Sequence, residues 1–284
     1  MSDLFIWGGP VTNCQPTKIA WVRPTVAITL AADGSSNMAS IYASLKQTDG
    51  YGWRSAARKA GLDPESVDKI ALAGFSAFHG FADAWLANPE DRARTTYVHL
   101  ADACFSGAGS TVPKAGYLAY AALAADPASG KMLTTTTNGP WGQDIHYAGP
   151  DGTQYDLTSG SKCFGTVWDA ATGGATGDAS DVPSGAPPPT RIKRVGNLAW
   201  FHYETAVSGY PTPCGGASDA HVWHANVLAI PYIQAYGVPF MAGETSSVPI
   251  AGLSGSAGKV ISVAAGVGLG YLAYRALRRR RDGY

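Results

Sequence analysis

The chain has 284 residues, enough for one large domain or two small ones, and its charged fraction of 15% lies well below the usual quarter. Glycine and proline are abundant, with 35 and 18 residues, which indicates many turns and long connections and argues against a helical bundle. The formal net charge is zero, so no general basic field favours nucleic acid as a partner.

Apolar runs bounded by turn residues predict the regular elements in chain order. β-branched or apolar runs predict strands at 25–30, 69–73, 95–101, 132–137 and 195–203. Helical spacing predicts helices at 53–61, at 81–88 with a stop at Pro89, at 115–125, and at 218–237. The last of these has Ser218 or Asp219 as its N-cap and Gly237 after its end.

This alternation of strands and helices predicts the α/β class, with a mostly parallel sheet that has helices on both faces. The predicted domain spans 1–245. Residues 141–190 are rich in Gly, Ser, Thr, Asp and Pro, which predicts an irregular lid or insertion.

Four cysteines show no spacing typical of a metal site, and the Gly-rich stretch "ATGGATG" lacks the Lys-Ser/Thr of a phosphate-binding loop. We therefore predict no metal and no organic cofactor. The cysteines are compatible with one or two disulfides or with four buried thiols. The N-terminus has no basic region and is not a Sec signal peptide.

The stretch "IALAGFSAFHG", residues 70–80, carries the clearest chemical signal. A buried strand runs into Gly74-Phe75-Ser76 and then directly into a predicted helix. This order resembles the α/β-hydrolase superfamily, whose nucleophilic serine lies on a sharp strand-to-helix turn with the pattern Gly-x-Ser-x-Gly. Phe78 stands where that pattern has its last glycine, and because helix and strand pack closely there, a phenylalanine predicts a looser or atypical turn.

The resemblance implies a catalytic triad in the chain order Ser, Asp, His. Ser76 would be the nucleophile. The acid would be Asp102 or Asp144, because each follows a predicted strand, and the two remain alternatives. The base would be His221, with His224 one helical turn further as the alternative.

The resemblance also implies an oxyanion hole of backbone N–H groups. One donor would be Ala77, which follows the nucleophile. The other would come from the loop "AADGSSN" after the first predicted strand, from Gly34 or Ser35.

A second, weaker resemblance uses the blocks "FHG" and "DACFSG". They resemble the His-Gly and Asp-x-Cys-x-Ser-Gly blocks of caspase-like cysteine peptidases, which would make His79 the base and Cys104 the nucleophile. Only 25 positions separate the two residues, fewer than that family usually has.

The C-terminal segment 246–284 differs from the rest of the chain. Residues 248–277 carry only two charges, and five of the 21 basic residues lie in the last ten positions. Without those arginines and Asp282, the first 274 residues have 16 basic groups against 20 acidic ones. The segment predicts a linker, a membrane-spanning or membrane-inserted helix and a basic tail.

The alternative for 248–277 is a helix that packs against protein partners, and its small residues also allow a homo-oligomer. The positive-inside rule puts the arginines on the cytoplasmic side, but no signal peptide accounts for export of the body. The sequence therefore predicts membrane association and leaves the orientation open.

Taken together, these residues predict a membrane-anchored serine hydrolase that acts on an ester or amide, which includes lipid-like substrates. The rival from a different class is a catalytically silent, hydrolase-like structural or binding protein of a membrane or of a larger assembly such as a virion. A caspase-like peptidase is the third alternative.

Overall fold

The structure is a computed structural model that describes residues 1–9, 19–31, 38–75, 78–104, 106–107, 114–139, 141–148, 154–158, 160–180, 182, 186–204 and 228–244. The chain divides into two compact units, Met1–Ser246 and Ser247–Tyr284. The second unit, which contains the whole predicted hydrophobic segment 248–277, lies outside the described residues.

Seven strands form the main sheet, in the spatial order β2-β1-β3-β4-β6-β10-β9. All neighbours are parallel except β9, which pairs antiparallel with β10. The predicted α/β class with a mostly parallel sheet is thereby confirmed. The strands of this sheet are β1 Ser2–Gly9, β2 Thr25–Ala31, β3 Val67–Phe75, β4 Thr95–Ala101, β6 Met132–Asn138, β9 Arg191–Val195 and β10 Leu198–Tyr203.

Helices cover both faces of this sheet. A hydrophobic core lies between one face of the sheet and the helices α1, α2, α3, α5 and α6. The strands contribute Leu72, Val98, Leu133 and Trp200 to it. A C-terminal helical segment covers the opposite face. The helices are α1 Met38–Asp49, α2 Gly52–Lys59, α3 His79–Ala87, α4 Pro89–Arg94, α5 Ala115–Ala125, α6 Gly160–Thr172, α7 Ile230–Tyr232 and α8 Val238–Ala242.

Strand β1 is an element that the sequence did not predict. It lies inside the sheet, paired with β2 on one side and β3 on the other, and seven of its eight residues are buried. Only four consecutive residues, "LFIW", are apolar, and the next two are glycines, so the run is too short to stand out. Its presence makes β2 the outermost strand on that side.

Regular structure fills much of region 141–190, which composition predicted to be irregular. Strands β7 (Asp144–Ala148) and β8 (Gln154–Thr158) form a small antiparallel sheet with β5 (Ser106–Gly107), and α6 follows. The helix buries Cys163, Phe164, Val167 and Trp168 at helical spacing. Because α6 is rich in glycine, serine and threonine, its composition did not indicate this buried apolar stripe.

The predicted end of the last helix at Gly237 is also wrong. The chain is helical from α7 through a π-helical turn, Ile233–Gly237, into α8, and it ends at Gly243 with φ +84°. A Cβ on Gly237 would lie 2.4 Å from the ring of Tyr97, so this glycine permits close packing instead of ending the helix. The predicted start near Ser218 lies outside the described residues.

Other predicted elements are confirmed with small shifts. Strand β4 and helix α5 coincide with their predicted ranges. Pro89 follows the end of α3 as predicted, but it also opens α4, whose first N–H groups bond to the Asn88 side chain. Among the described residues, no helix combines the length and the apolar character that crossing a bilayer requires.

A buried polar network joins the sheet to the C-terminal segment. His99 Nε2 lies 2.7 Å from the Leu228 carbonyl oxygen, and Nδ1 lies 2.8 Å from Thr134 Oγ1. Because a carbonyl only accepts, Nε2 carries the hydrogen, and Nδ1 accepts from the Thr134 hydroxyl. Tyr97, 2.8 Å from the same hydroxyl oxygen, donates to it. Every hydrogen in this chain of bonds is therefore assigned.

The network predicts a loss of stability in acid. Burial lowers the pKa of His99 to about 4, from 6.5 in an exposed histidine. Below pH 6.5 the unfolded chain binds a proton that the folded protein takes up only near pH 4, so the free energy of unfolding falls as the pH falls. His99 alone accounts for about 2 kcal/mol of this loss at pH 5.

Urea unfolding of the wild type and His99→Gln at pH 7.5 and pH 5 measures that term. The variant is less stable at pH 7.5 but loses about 2 kcal/mol less than the wild type on acidification. Identical pH dependence in the two proteins would contradict the assignment.

Candidate functional site

The carboxyl edge of the main sheet is the expected location of a ligand-binding or catalytic site. In open α/β sheets, ligands bind beyond the carboxyl ends of the strands, at the point where the strand order reverses. Here β1 and β2 run to one side and β3, β4 and β6 to the other, so the reversal lies between β1 and β3. Ser76 is the residue that directly follows β3 in the chain.

Several predicted site residues lie outside the described part of the chain, so the structure says nothing of their positions. These are Ser76, Ala77, Gly34, Ser35, His221 and His224. Their roles remain predictions. The described residues Asp102, His79 and Cys104, together with the backbone of Asp144, define the surroundings of the site.

Phe78, which stands where the pattern has its last glycine, is closely packed. Its side chain is fully buried, and its ring stacks on Phe81 with centroids 5.3 Å apart. A Cβ on Gly8 would lie 2.0 Å from the ring, and one on Gly74 would lie 2.3 Å from it. Two glycines on neighbouring strands thus provide the space that the missing glycine of the turn would have left.

Asp102 follows β4 at the same edge, and its backbone is unusual. Its φ of +45° is the only positive value of a non-glycine residue among the described residues. Such a conformation costs about 1 kcal/mol or more and tends to occur at functional sites. Its N–H donates to the Thr136 carbonyl at 2.7 Å, which ties the turn to the end of β6.

The carboxylate of Asp102 lies at the start of α6. A Cβ on Gly160, the first residue of that helix, would lie only 2.5 Å from Oδ1. The Asn138 N–H points at the same oxygen from 3.4 Å. The N-terminus of α6, which carries partial positive charge, therefore lies beside this carboxylate.

A disulfide fixes the segment that follows Asp102. Cys104 and Cys163 are bonded at a sequence separation of 59, and both are buried. Closing a loop of this length stabilises the fold by about 4 kcal/mol in the chain-entropy account. The disulfide also leaves Cys104 without a thiol, so the caspase-like alternative with His79 as base has no nucleophile in this oxidised state.

Asp144, the other candidate acid, begins β7 in the small antiparallel sheet. Its backbone therefore belongs to a hairpin beyond β6 and not to the end of a main-sheet strand. Asp102, by contrast, directly follows β4, which is the neighbour of β3.

The location of β1 bears on the predicted oxyanion loop. The loop at 32–37 follows β2, and β1 separates β2 from β3. The strand adjacent to β3 ends in Gly8 and Gly9, and Gly8 is in register with Gly74. In the sequence, the Gly-Gly pair after "LFIW" is the signal that a second strand end lies beside the end of β3.

His202 is a buried polar residue at this edge that the sequence did not single out. It is fully buried on β10, and its Nδ1 lies 3.0 Å from Thr137 Oγ1. Its Nε2 makes no hydrogen bond of normal geometry, although the Gly139 backbone is close enough to raise its pKa slightly.

Burial nevertheless dominates and lowers the pKa of His202 to about 4, while the charge of Asp102 has a weaker, opposite effect. This histidine is therefore neutral at pH 7. No local motif marked it, because a histidine in an apolar strand resembles a core residue.

Comparisons of the chain with models of protein families, with curated proteins and with solved structures find no match. The seven-stranded, mostly parallel sheet flanked by helices is compatible with α/β-hydrolase-like folds. Among the described residues, no cluster of three or more His, Cys, Asp or Glu side chains has the arrangement of a metal site.

The packing of Phe78 on Gly8 predicts a strong coupling between the two positions. Gly8→Ala should lower the free energy of unfolding by about 2–3 kcal/mol, because the new methyl group overlaps the ring. In a Phe78→Ala background, where only the ring is removed, the same substitution should cost less than about 1 kcal/mol. Urea unfolding of the four proteins measures the coupling.

Gly165→Ala is the matched control, because its Cβ would meet only Trp200, at 3.7 Å, and would lie inside helix α6. It should be neutral or stabilising by up to about 1 kcal/mol. Equal costs of Gly8→Ala with and without the Phe78 ring would contradict the packing described above.

Proposed function

We propose that the protein is a serine hydrolase that cleaves an ester or amide, with Ser76 as the nucleophile. One observation carries the proposal: a serine directly follows the interior strand β3 in the chain, and Asp102, with its positive φ, follows the neighbouring strand β4. A nucleophile and an acid at adjacent strand ends of one sheet edge are what a serine hydrolase of the α/β type needs.

In the proposed reaction, Ser76 Oγ attacks the substrate carbonyl carbon while His221 takes the hydroxyl proton. The tetrahedral intermediate collapses, the bond to the leaving alcohol or amine breaks, and His221 returns the proton to that group. Water, deprotonated by the same histidine, then attacks the acyl carbon; the bond to Ser76 Oγ breaks, the histidine returns the proton to that oxygen, and the acid is released. His224 remains the alternative base.

Asp102 is the acid that we favour over Asp144. Its carboxylate lies at the N-terminus of α6, beside the backbone N–H of Asn138, where negative charge is stabilised. A buried anion held in this way can orient the histidine and stabilise its protonated form. Asp144 begins a strand of the small sheet instead.

We propose the Ala77 N–H as one donor of the oxyanion hole. For the second, we favour the Gly9 N–H over Gly34 or Ser35; the next residue, Pro10, has no N–H to donate. The support is that β1, which ends at Gly9, is adjacent to β3, whereas β2 is one strand further away. A small residue allows a backbone N–H to approach a bound substrate closely.

The hydrophobic segment 248–277 is proposed to hold the enzyme at a membrane. Its support is the sequence alone: thirty residues with two charges, followed by a cluster of arginines. Lipid-like esters would then be accessible substrates.

A catalytically silent scaffold is the second candidate. The specific observation in its favour is the Phe78 ring, which occupies the space beside Gly8 and Gly74 at the strand-order reversal. Such a protein would keep the fold and use it for binding or assembly.

Hydrolysis of short p-nitrophenyl esters by the purified protein tests the enzyme. We expect Ser76→Ala and Asp102→Asn each to lower kcat/KM by about 10³-fold or more, because both act in the same step. The double variant Cys104→Ser/Cys163→Ser should unfold more easily and have a lower kcat, because the disulfide holds the acid segment, but it should remain much more active than Ser76→Ala at low temperature.

Hydrolysis that survives Ser76→Ala but disappears in the cysteine variant would overturn the serine mechanism. A folded wild type that does not hydrolyse any ester in the series favours the silent scaffold. Circular dichroism of every variant provides the control for folding.

Sedimentation with phosphatidylcholine vesicles tests the membrane proposal separately. The full chain should sediment with the vesicles at both low and high salt, since apolar insertion is not screened. A chain in which Gly266 and Leu269 are replaced by Asp should remain in the supernatant. Equal partition of the two proteins would contradict a membrane role for this segment.

A further inference from the structure

Tyr117 contacts the two segments that flank the proposed catalytic residues. It is the third residue of α5, and its side chain is fully buried. Its hydroxyl oxygen lies 2.8 Å from the carbonyl oxygen of Ala103 and 3.2 Å from that of His79. A hydroxyl has one hydrogen, so this hydrogen is shared between the two carbonyls, with Ala103 the closer acceptor.

These two carbonyls belong to the parts of the backbone that a triad must hold in register. His79 begins α3, three residues after Ser76. Ala103 is the residue after Asp102 and directly precedes the disulfide-bonded Cys104. One hydroxyl group therefore bridges the helix that follows the nucleophile and the segment that follows the acid.

The start of α5 is itself held in place, which gives the hydroxyl a fixed position. Asp83 of α3 accepts a hydrogen bond from the Gly116 N–H at 2.9 Å. A Cβ on Gly116 would lie 2.1 Å from the Asp83 carbonyl oxygen, so the two helices are in close contact here. Tyr117 is thus anchored to α3 through the backbone as well as through its side chain.

The Tyr117 hydroxyl stays protonated at neutral pH and is therefore a hydrogen-bond donor there. Burial raises the pKa of Tyr117 well above 10, and the charge of Asp83 raises it further. The bridge therefore does not open by ionisation.

We propose that Tyr117 is a positioning residue of the active site, which sets the distance between the nucleophile turn and the acid. This inference rests on the proposed function. It assigns Tyr117 no contact with substrate. Its hydroxyl acts through the backbone at His79 and Ala103, and the disulfide fixes the acid segment from its other end, against α6.

A positioning role predicts a specific kinetic change. Displacing catalytic groups by a fraction of an ångström lowers the rate of the chemical step and leaves substrate binding largely unchanged. Tyr117→Phe keeps the ring and removes only the bridging hydroxyl. We expect kcat for p-nitrophenyl ester hydrolysis to fall about tenfold or more, with KM within about twofold of the wild type.

Tyr120→Phe is the matched control. Tyr120 lies one turn further along α5, is equally buried, and donates to the Thr95 carbonyl at 3.3 Å, at the amino end of β4. Its removal takes a buried hydroxyl from the same helix but far from the carboxyl edge. We expect kcat and KM of this variant to stay within about twofold of the wild type.

Hydrogen–deuterium exchange of the same three full-length proteins gives a readout that does not depend on activity. In Tyr117→Phe, the amides of residues 78–82 and those of 102–104 should both exchange faster than in the wild type. In Tyr120→Phe neither segment should change. Loss of protection in both segments at once is the signature of a bridge, since a local packing defect would affect only one of them.

The outcomes separate the two proposals. A wild type without esterase activity overturns the proposed function, and the exchange data then decide alone whether Tyr117 couples the two segments. An active wild type with equal kcat losses in the two tyrosine variants, or unchanged exchange in Tyr117→Phe, overturns the positioning role.

Discussion

The packing of one aromatic ring on two glycines determines how the carboxyl edge of this sheet is built. Phe78 lies against Gly8 of β1 and Gly74 of β3, and a Cβ at either position would overlap its ring. Neighbouring strands and the first turn of α3 are thereby held together without a gap. This contact fixes the end of β3 relative to the start of α3, the two described elements that precede and follow Ser76 in the chain.

A second set of contacts holds the segment after β4. The backbone of Asp102 bonds to Thr136, its carboxylate lies beside Gly160 at the start of α6, and Cys104 is bonded to Cys163. These contacts bring a residue with an unfavourable φ into a defined position. The cost of that conformation is offset by contacts with two elements, β6 and α6, an arrangement typical of a site where geometry matters more than local stability.

The sequence predicted the class of fold and several elements well, because long runs with clear boundaries carry strong signals. Strand β4 and helix α5 are examples. It failed where the deciding contact is distant in the chain. Strand β1 has too few apolar residues to be noticed alone, yet pairing on both sides buries it. Gly237 resembles a helix end in the sequence, because the side chain that explains it, Tyr97, lies on the distant strand β4.

The site was predictable only in part, for the same physical reason. The order of a strand, a serine and a helix is local, so Ser76 and Asp102 could be singled out. The local block "DACFSG" also suggested a reactive thiol, and nothing nearby revealed that Cys104 pairs with a cysteine 59 positions away. His202 and Tyr117 belong to no motif, and only the groups around them in the fold distinguish them from ordinary core residues.

The most direct test of a nucleophilic Ser76 is covalent labelling of the folded wild type with a fluorophosphonate, followed by peptide mass spectrometry. The account predicts one phosphonylated site, at Ser76, and no labelling of heat-denatured protein. Folded protein that shows no adduct, or an adduct at another residue, would contradict it.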